Sequence, residues 1–96
     1  MPNIKEIYQN TEKDFQKVLF AAVAAEKLSM DEAKFLSAWY GRQYYAVRTS
    51  QDLLDLFEKM QNQYPQISEK LEELKKPLHH HAKEEGIDEI KNLFHS

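Results

Sequence analysis

Three consecutive histidines, His79, His80 and His81, are the residues best suited to chemistry in this 96-residue chain. Imidazole nitrogens bind zinc, copper and nickel, and they exchange protons near neutral pH. Spacing decides whether they can act together. On a helix successive side chains point about 100° apart, so three neighbours do not converge on one ion. In an extended segment His79 and His81 share a side and become a weak candidate pair of metal ligands. A catalytic zinc usually takes three protein ligands, and the H-E-x-x-H spacing that supplies them from a helix is absent. The E-x-x-H pairs of di-iron bundles are absent too, because Lys76, Pro77, Leu78 and Asn92 stand three places before the histidines. The simpler reading is a polar turn after Pro77, with His80 paired to Glu84, or His81 to Glu84 or Glu85, on a helix surface. No metal and no cofactor is expected, and a metal-linked module built on the histidines stands as one alternative.

Other catalytic arrangements are missing from the sequence. There is no G-x-S-x-G elbow, no Walker loop and no G-x-G-x-x-G, and the two glycines, Gly41 and Gly86, are too far apart to build one. Paired carboxylates occur at Asp31-Glu32, Glu72-Glu73, Glu84-Glu85 and Asp88-Glu89. Each lies in a polar stretch, where solvation keeps carboxylates ionised and ordinary, whereas acid–base work needs one of them buried. The chain reads as a non-enzyme.

The segment WYGRQYYAVR, Trp39 to Arg48, is the strongest local signal for binding. It holds the single tryptophan, three of the five tyrosines and both arginines. Trp, Tyr and Arg are enriched at binding hot spots because they offer large rigid area with a polar handle or a planar fork of donors. Trp39, Arg42, Tyr45 and Arg48 are therefore candidate anchors for a partner. Phe20, which falls opposite the main apolar stripe of its helix, is a fifth. Gly41, costly in a helix interior, suggests close approach of another backbone. The competing reading places Trp39 and Phe35 under a neighbouring helix. Residues 33–50 can also be laid on a DNA-binding helix-turn-helix with Gly41 at the turn. In that register Arg42 and Ser50 occupy positions that want apolar residues.

These residues must be carried by helices, because two glycines and three prolines are too few for the turns of a β-protein. From Asn3 to Lys27, Ile4, Ile7, Tyr8, Phe15, Val18, Leu19, Ala22 and Ala25 form a stripe about 120° wide at helical period, and the end of that helix is apolar all round. Ser29 and Glu32 form a capping box that opens a second helix, expected from about Met30 to Arg48. Thr49 or Ser50 caps a third helix. From there Leu53, Phe57, Met60, Tyr64, Ile67, Leu71, Leu74 and Leu78 recur in alternating steps of four and three, a heptad seam. Pro65 interrupts the seam, and Asn62-Gln63-Tyr64-Pro65 reads slightly better as a helix end than as a kink. Pro77 is expected to end this region, and Gly86 to separate a last short helix with Ile87, Ile90 and Phe94 on one face.

The stretch AAVAAEKLSMDEAKFL, Ala21 to Leu36, resembles the helix junction of TerB-like helical domains. It covers under a fifth of the chain and lacks the acidic Asp-Gly turn of those domains, so it names no family.

Composition bounds the rest. Ninety-six residues suit one domain, and 42% hydrophobic with 30% charged residues describes a folded chain. The net charge is −3, the wrong sign for a dedicated nucleic-acid or anionic-membrane binder. The absence of cysteine excludes thiolate chemistry and suits a reducing compartment. The longest apolar run, Val18 to Ala25, is far shorter than the roughly 20 residues that cross a bilayer. Glu6, Glu12 and Asp14 precede that run, where a secretion signal would be basic.

The expectation is therefore a single all-α domain over residues 1–96, a small helical bundle of four to five helices with short loops. Its function is expected to be non-enzymatic, a cytoplasmic interaction or regulatory module that binds a protein partner or itself through helix faces. A DNA-binding regulator using residues 33–50 is the other alternative, although nucleic acid is disfavoured by charge. The heptad seam can pack on the first helix or on a second copy, and a symmetric homodimer through that seam is expected.

Overall fold

The computed structural model describes the backbone of residues 3–95 and the side chains of residues 3–87. It is an all-α bundle. Helix α1 spans Ile4–Ala24, α2 Met30–Arg42, α3 Ser50–Gln63 and α4 Ser68–His95, with a single 3-10 turn at Pro65–Ile67 between the last two. No strand occurs among the described residues.

Local chemistry fixes most of the helix ends. Asn3 caps α1 by accepting the Glu6 N–H at 3.0 Å. At the other end the Lys27 and Glu26 N–H groups return to the Ala22 and Val23 carbonyls, the two bonds of a Schellman cap. Glu26 holds the left-handed conformation there (φ 59°), a position that ordinarily favours glycine. The Ser29–Glu32 capping box opens α2 as expected, with both reciprocal bonds made. Thr49 opens α3 through a second box with Asp52.

Three boundaries differ from the sequence reading. Helix α2 stops at Arg42 instead of Arg48, and Gln43–Ala46 form a turn. Lys5 of α1 donates to the Tyr44 and Val47 carbonyls, so those groups are satisfied without a helix. Val47 is buried on the core side in either conformation, which is why periodicity did not reveal the turn. At Tyr64–Pro65 the helix breaks, as the sequence slightly favoured; Tyr64 leaves the helical conformation (φ −129°, ψ 67°) because a following proline disfavours it. Pro77 and Gly86, by contrast, both lie inside α4, which runs unbroken for 28 residues. Pro77 is exposed, so the Glu73 carbonyl it deprives of a partner faces the solvent side, while Leu71 and Leu78 remain buried on either side of it.

The core is the heptad seam. Leu53, Phe57, Met60, Ile67, Leu71 and Leu78 are buried, with Tyr64 and Leu74 half-buried. They meet Phe15, Leu19 and Tyr40 from α1 and α2. The seam is thus buried within one chain. Leu54 and Leu56 are buried as well, so α3 buries more than one stripe. Two polar locks hold the α3–α4 hairpin. Buried Lys75 donates to the Gln61 Oε1 at 3.0 Å and pairs with Glu72 at 3.3 Å and Glu58 at 3.7 Å. Glu85 accepts from the N–H and hydroxyl of fully buried Ser50 at 3.1 and 2.9 Å. A carboxylate at the first turn of α3 also complements the helix dipole. The sequence reads Glu85 as one of a solvated pair with Glu84, because spacing does not show a contact across 35 positions.

Candidate protein-interaction surface

Helices α1 and α2 run antiparallel and meet tightly at one end only. There Tyr8 and Tyr40 stack with ring centroids 4.5 Å apart, and each hydroxyl donates to the other residue's backbone carbonyl. Burial, aided by Glu12, pushes the Tyr8 hydroxyl up to about 12 and raises that of Tyr40 further. Midway, the Gln16 amide donates to the Ser37 hydroxyl at 2.6 Å. Beyond that bridge the helices part around a groove of about 300 Å3.

The groove follows from residue size. On α2 its wall is made of the small residues Ala33, Ser37 and Ala38, and of these Ser37 is bridged to α1 by Gln16. On α1 it is lined by Leu19, Phe20 and Val23, with Met30 and Lys34 of α2 at its edge. Phe20 is 73% exposed and Met30 55%. Two large apolar side chains flanking an apolar trough in solvent are uncommon on a surface that has nothing to bind. The shape suits an amphipathic helix laid between two helices.

The structure divides the five candidate anchors between separate places. Phe20 lines the groove. Trp39 is half-buried against the core, the reading that competed with a binding role, while Phe35 one turn earlier is 53% exposed. Arg42, Tyr45 and Arg48 are exposed. They do not form one helical face, because α2 ends at Arg42 and the other two lie beyond it. Tyr45, 84% exposed, rests edge-on against Tyr44 near Lys5, at the opposite end of α1 from Phe20. Gly41 lies inside α2, and a Cβ there would meet no atom of the described residues within 4 Å, so none of their backbone approaches it closely. Met30, Ala33 and Ser37 were missed as a group. The available signal was a run of small residues on the same side of α2 as an N-terminal methionine.

The helix-turn-helix register also changes. Gly41 is helical, the turn comes after Arg42, and the helix that follows carries Asp55 and Glu58 on its exposed side. Lys59 is exposed there too, so that face is net acidic, which is unfavourable to phosphates. The histidines lie on helical backbone, not on an extended segment, so His79 and His81, two places apart, diverge. His80 pairs with Glu84 at 2.9 Å. Among the described residues no group of three His, Cys, Asp or Glu side chains gathers as a metal site would require. A hydrogen bond from Gln61, reinforced by Lys75, holds the Glu72 carboxyl below its ordinary range. No described helix is long and apolar enough to cross a membrane.

Comparison with family models, curated proteins and solved structures gives no match for this chain.

Proposed function

We propose that this protein is a non-enzymatic interaction module that seats an amphipathic helix, from a protein partner or from a second copy, between α1 and α2. One observation carries the reading: Phe20 and Met30 stand exposed beside an apolar groove, while the heptad seam that might have served instead is used inside the chain. Burying such side chains on binding contributes roughly 25 cal/mol per Å2 of apolar area. Lys34 at the rim favours acid on the incoming helix. The lack of cysteine is compatible with work in the cytoplasm.

The test is a selection of displayed helical peptides against the full chain, followed by titration of one selected peptide into the labelled protein. We expect amide shifts concentrated on Gln16–Val23 and Met30–Ala38, and loss of binding in Phe20→Glu. Selected helices that map elsewhere, or that bind Phe20→Glu equally well, would overturn the reading.

A further inference from the structure

Charge is unevenly spread along the α1–α2 groove, and that asymmetry narrows what can occupy it. At about 1.5 Å of rise per residue, Lys13 lies about 10 Å and Lys17 about 5 Å before Phe20 along α1. At about 100° per residue both fall within about 60° of Phe20, on the same exposed face. Lys34 of α2 lines the groove one turn from the Gln16–Ser37 bridge. All three lysines are exposed, and none lies within ion-pairing distance of a carboxylate among the described residues. The neighbouring acids turn elsewhere. Asp14 lies about 120° round α1 from Phe20, and Asp31 about 60° round α2 from Lys34. Glu12 stands near the tyrosine pair, and Glu32 is held in its capping box. The groove is therefore cationic towards the bridge and apolar towards Val23 and Met30.

A second copy does not offer the complement. The exposed large apolar side chains are Phe20, Met30, Phe35, Tyr45 and Ile87. Phe20 and Met30 belong to the groove itself, and packing two grooves about a two-fold axis would set like lysines against one another. Phe35 shares its face of α2 with half-buried Trp39 and with the cation Arg42. No described helix face thus combines exposed apolar residues one turn apart with free acids.

Resting on the groove reading above, we propose that the occupant is an acidic amphipathic helix of a different protein. Its acidic end lies over Lys13, Lys17 and Lys34, and its apolar end packs on Phe20, Val23 and Met30. The roughly 10 Å that Gln16–Val23 spans along α1 seats about two of its turns.

Two synthetic helical peptides titrated into the full chain test this. Both carry leucines at i, i+3, i+4 and i+7; one has glutamates clustered at one end, the other has lysines at the same positions. We expect the acidic peptide to bind about tenfold tighter, a gap that three exposed charge pairs provide and that added salt closes. Replacing Lys13, Lys17 and Lys34 together by Gln should close it too, with the helical signal kept; if that variant loses helix, Lys34→Gln alone replaces it. A spin label on the acidic end should broaden the amide signals of Gln16 and Ser37 more than those of Val23 and Met30. Equal affinities, or the opposite broadening pattern, overturn the acidic helix and leave the groove standing. Binding of both peptides that ignores Phe20→Glu overturns the groove reading with it. A concentration-dependent dimer abolished by Phe20→Glu gives the groove to a second copy and overturns the different partner. Anionic phospholipid vesicles that outcompete the acidic peptide overturn it in favour of a membrane surface. If neither peptide binds up to about 1 mM, the acidic helix is overturned, and the displayed-peptide selection separately judges the groove.

Discussion

The α3–α4 hairpin and the α1–α2 pair are both antiparallel helix pairs, yet one is closed along its length and the other gapes. In α3–α4, large aliphatic side chains at heptad spacing interdigitate, and polar locks hold both ends: Lys75 with Gln61 towards the turn, Glu85 with Ser50 at the far end. In α1–α2 the tyrosines close one end, and Ala33, Ser37 and Ala38 leave the rest open. Stability resides in the first pair and availability in the second. A bundle of this size can leave one helix pair loosely packed because the seam of the other pair already supplies its core.

The sharpest way to break the comparison is to place the same charge in each pair. Leu71→Glu puts a carboxylate at a fully buried seam position and should cost about 3–5 kcal/mol or more, enough to unfold the chain in thermal melts. A folded Leu71→Glu would show that the seam is not the core.

Alkaline pH probes the tyrosine end. The Tyr8 and Tyr40 pKa values are raised in the folded state, so each hydroxyl keeps its proton above pH 10 when folded and loses it when unfolded. Their contribution is complete below pH 10 and is lost as pH rises, through about 12 for Tyr8, at about 1.4 kcal/mol per pH unit for each residue. Denaturant titrations at pH 9, 10 and 11 should show stability falling across the last two; Tyr40→Phe should flatten that slope.

Pro77 sharpens the account of α4. It lies on the exposed side of a continuous helix, so Pro77→Ala should restore one backbone bond and raise stability by about 1–3 kcal/mol in chemical denaturation. Unchanged or reduced stability would mean that the proline shapes α4 in a way the packing requires. A smaller gain, about 0.5–1 kcal/mol, is expected from Glu26→Gly, which relieves the left-handed residue of the Schellman cap.

The smallest effect belongs to the open pair. Phe20→Glu should change stability by no more than about 0.5 kcal/mol, because the ring is mostly in water. A large loss of Tm in Phe20→Glu would assign that residue to the core and close the argument for a binding groove.

The helical class, the cap at Ser29 and the seam from Leu53 to Leu78 were legible in the sequence alone, while the cap of α3 was narrowed to Thr49 or Ser50 and the structure selects Thr49. Each rests on short-range periodicity or on a side chain reaching a backbone group three residues away. The sequence also singled out Phe20, since an aromatic ring off the apolar stripe is visible in a helical projection. What it did not contain was the length of α2, the continuity of α4 through Pro77, and the use of the seam inside one chain. Those were decided by Lys5 reaching the turn after α2, by burial of Leu71 and Leu78 on both sides of the proline, and by α1 lying against α3 and α4. The groove belongs to the same group. Its shape depends on which small residues of α2 happen to face α1, a relation between helices that no local pattern encodes.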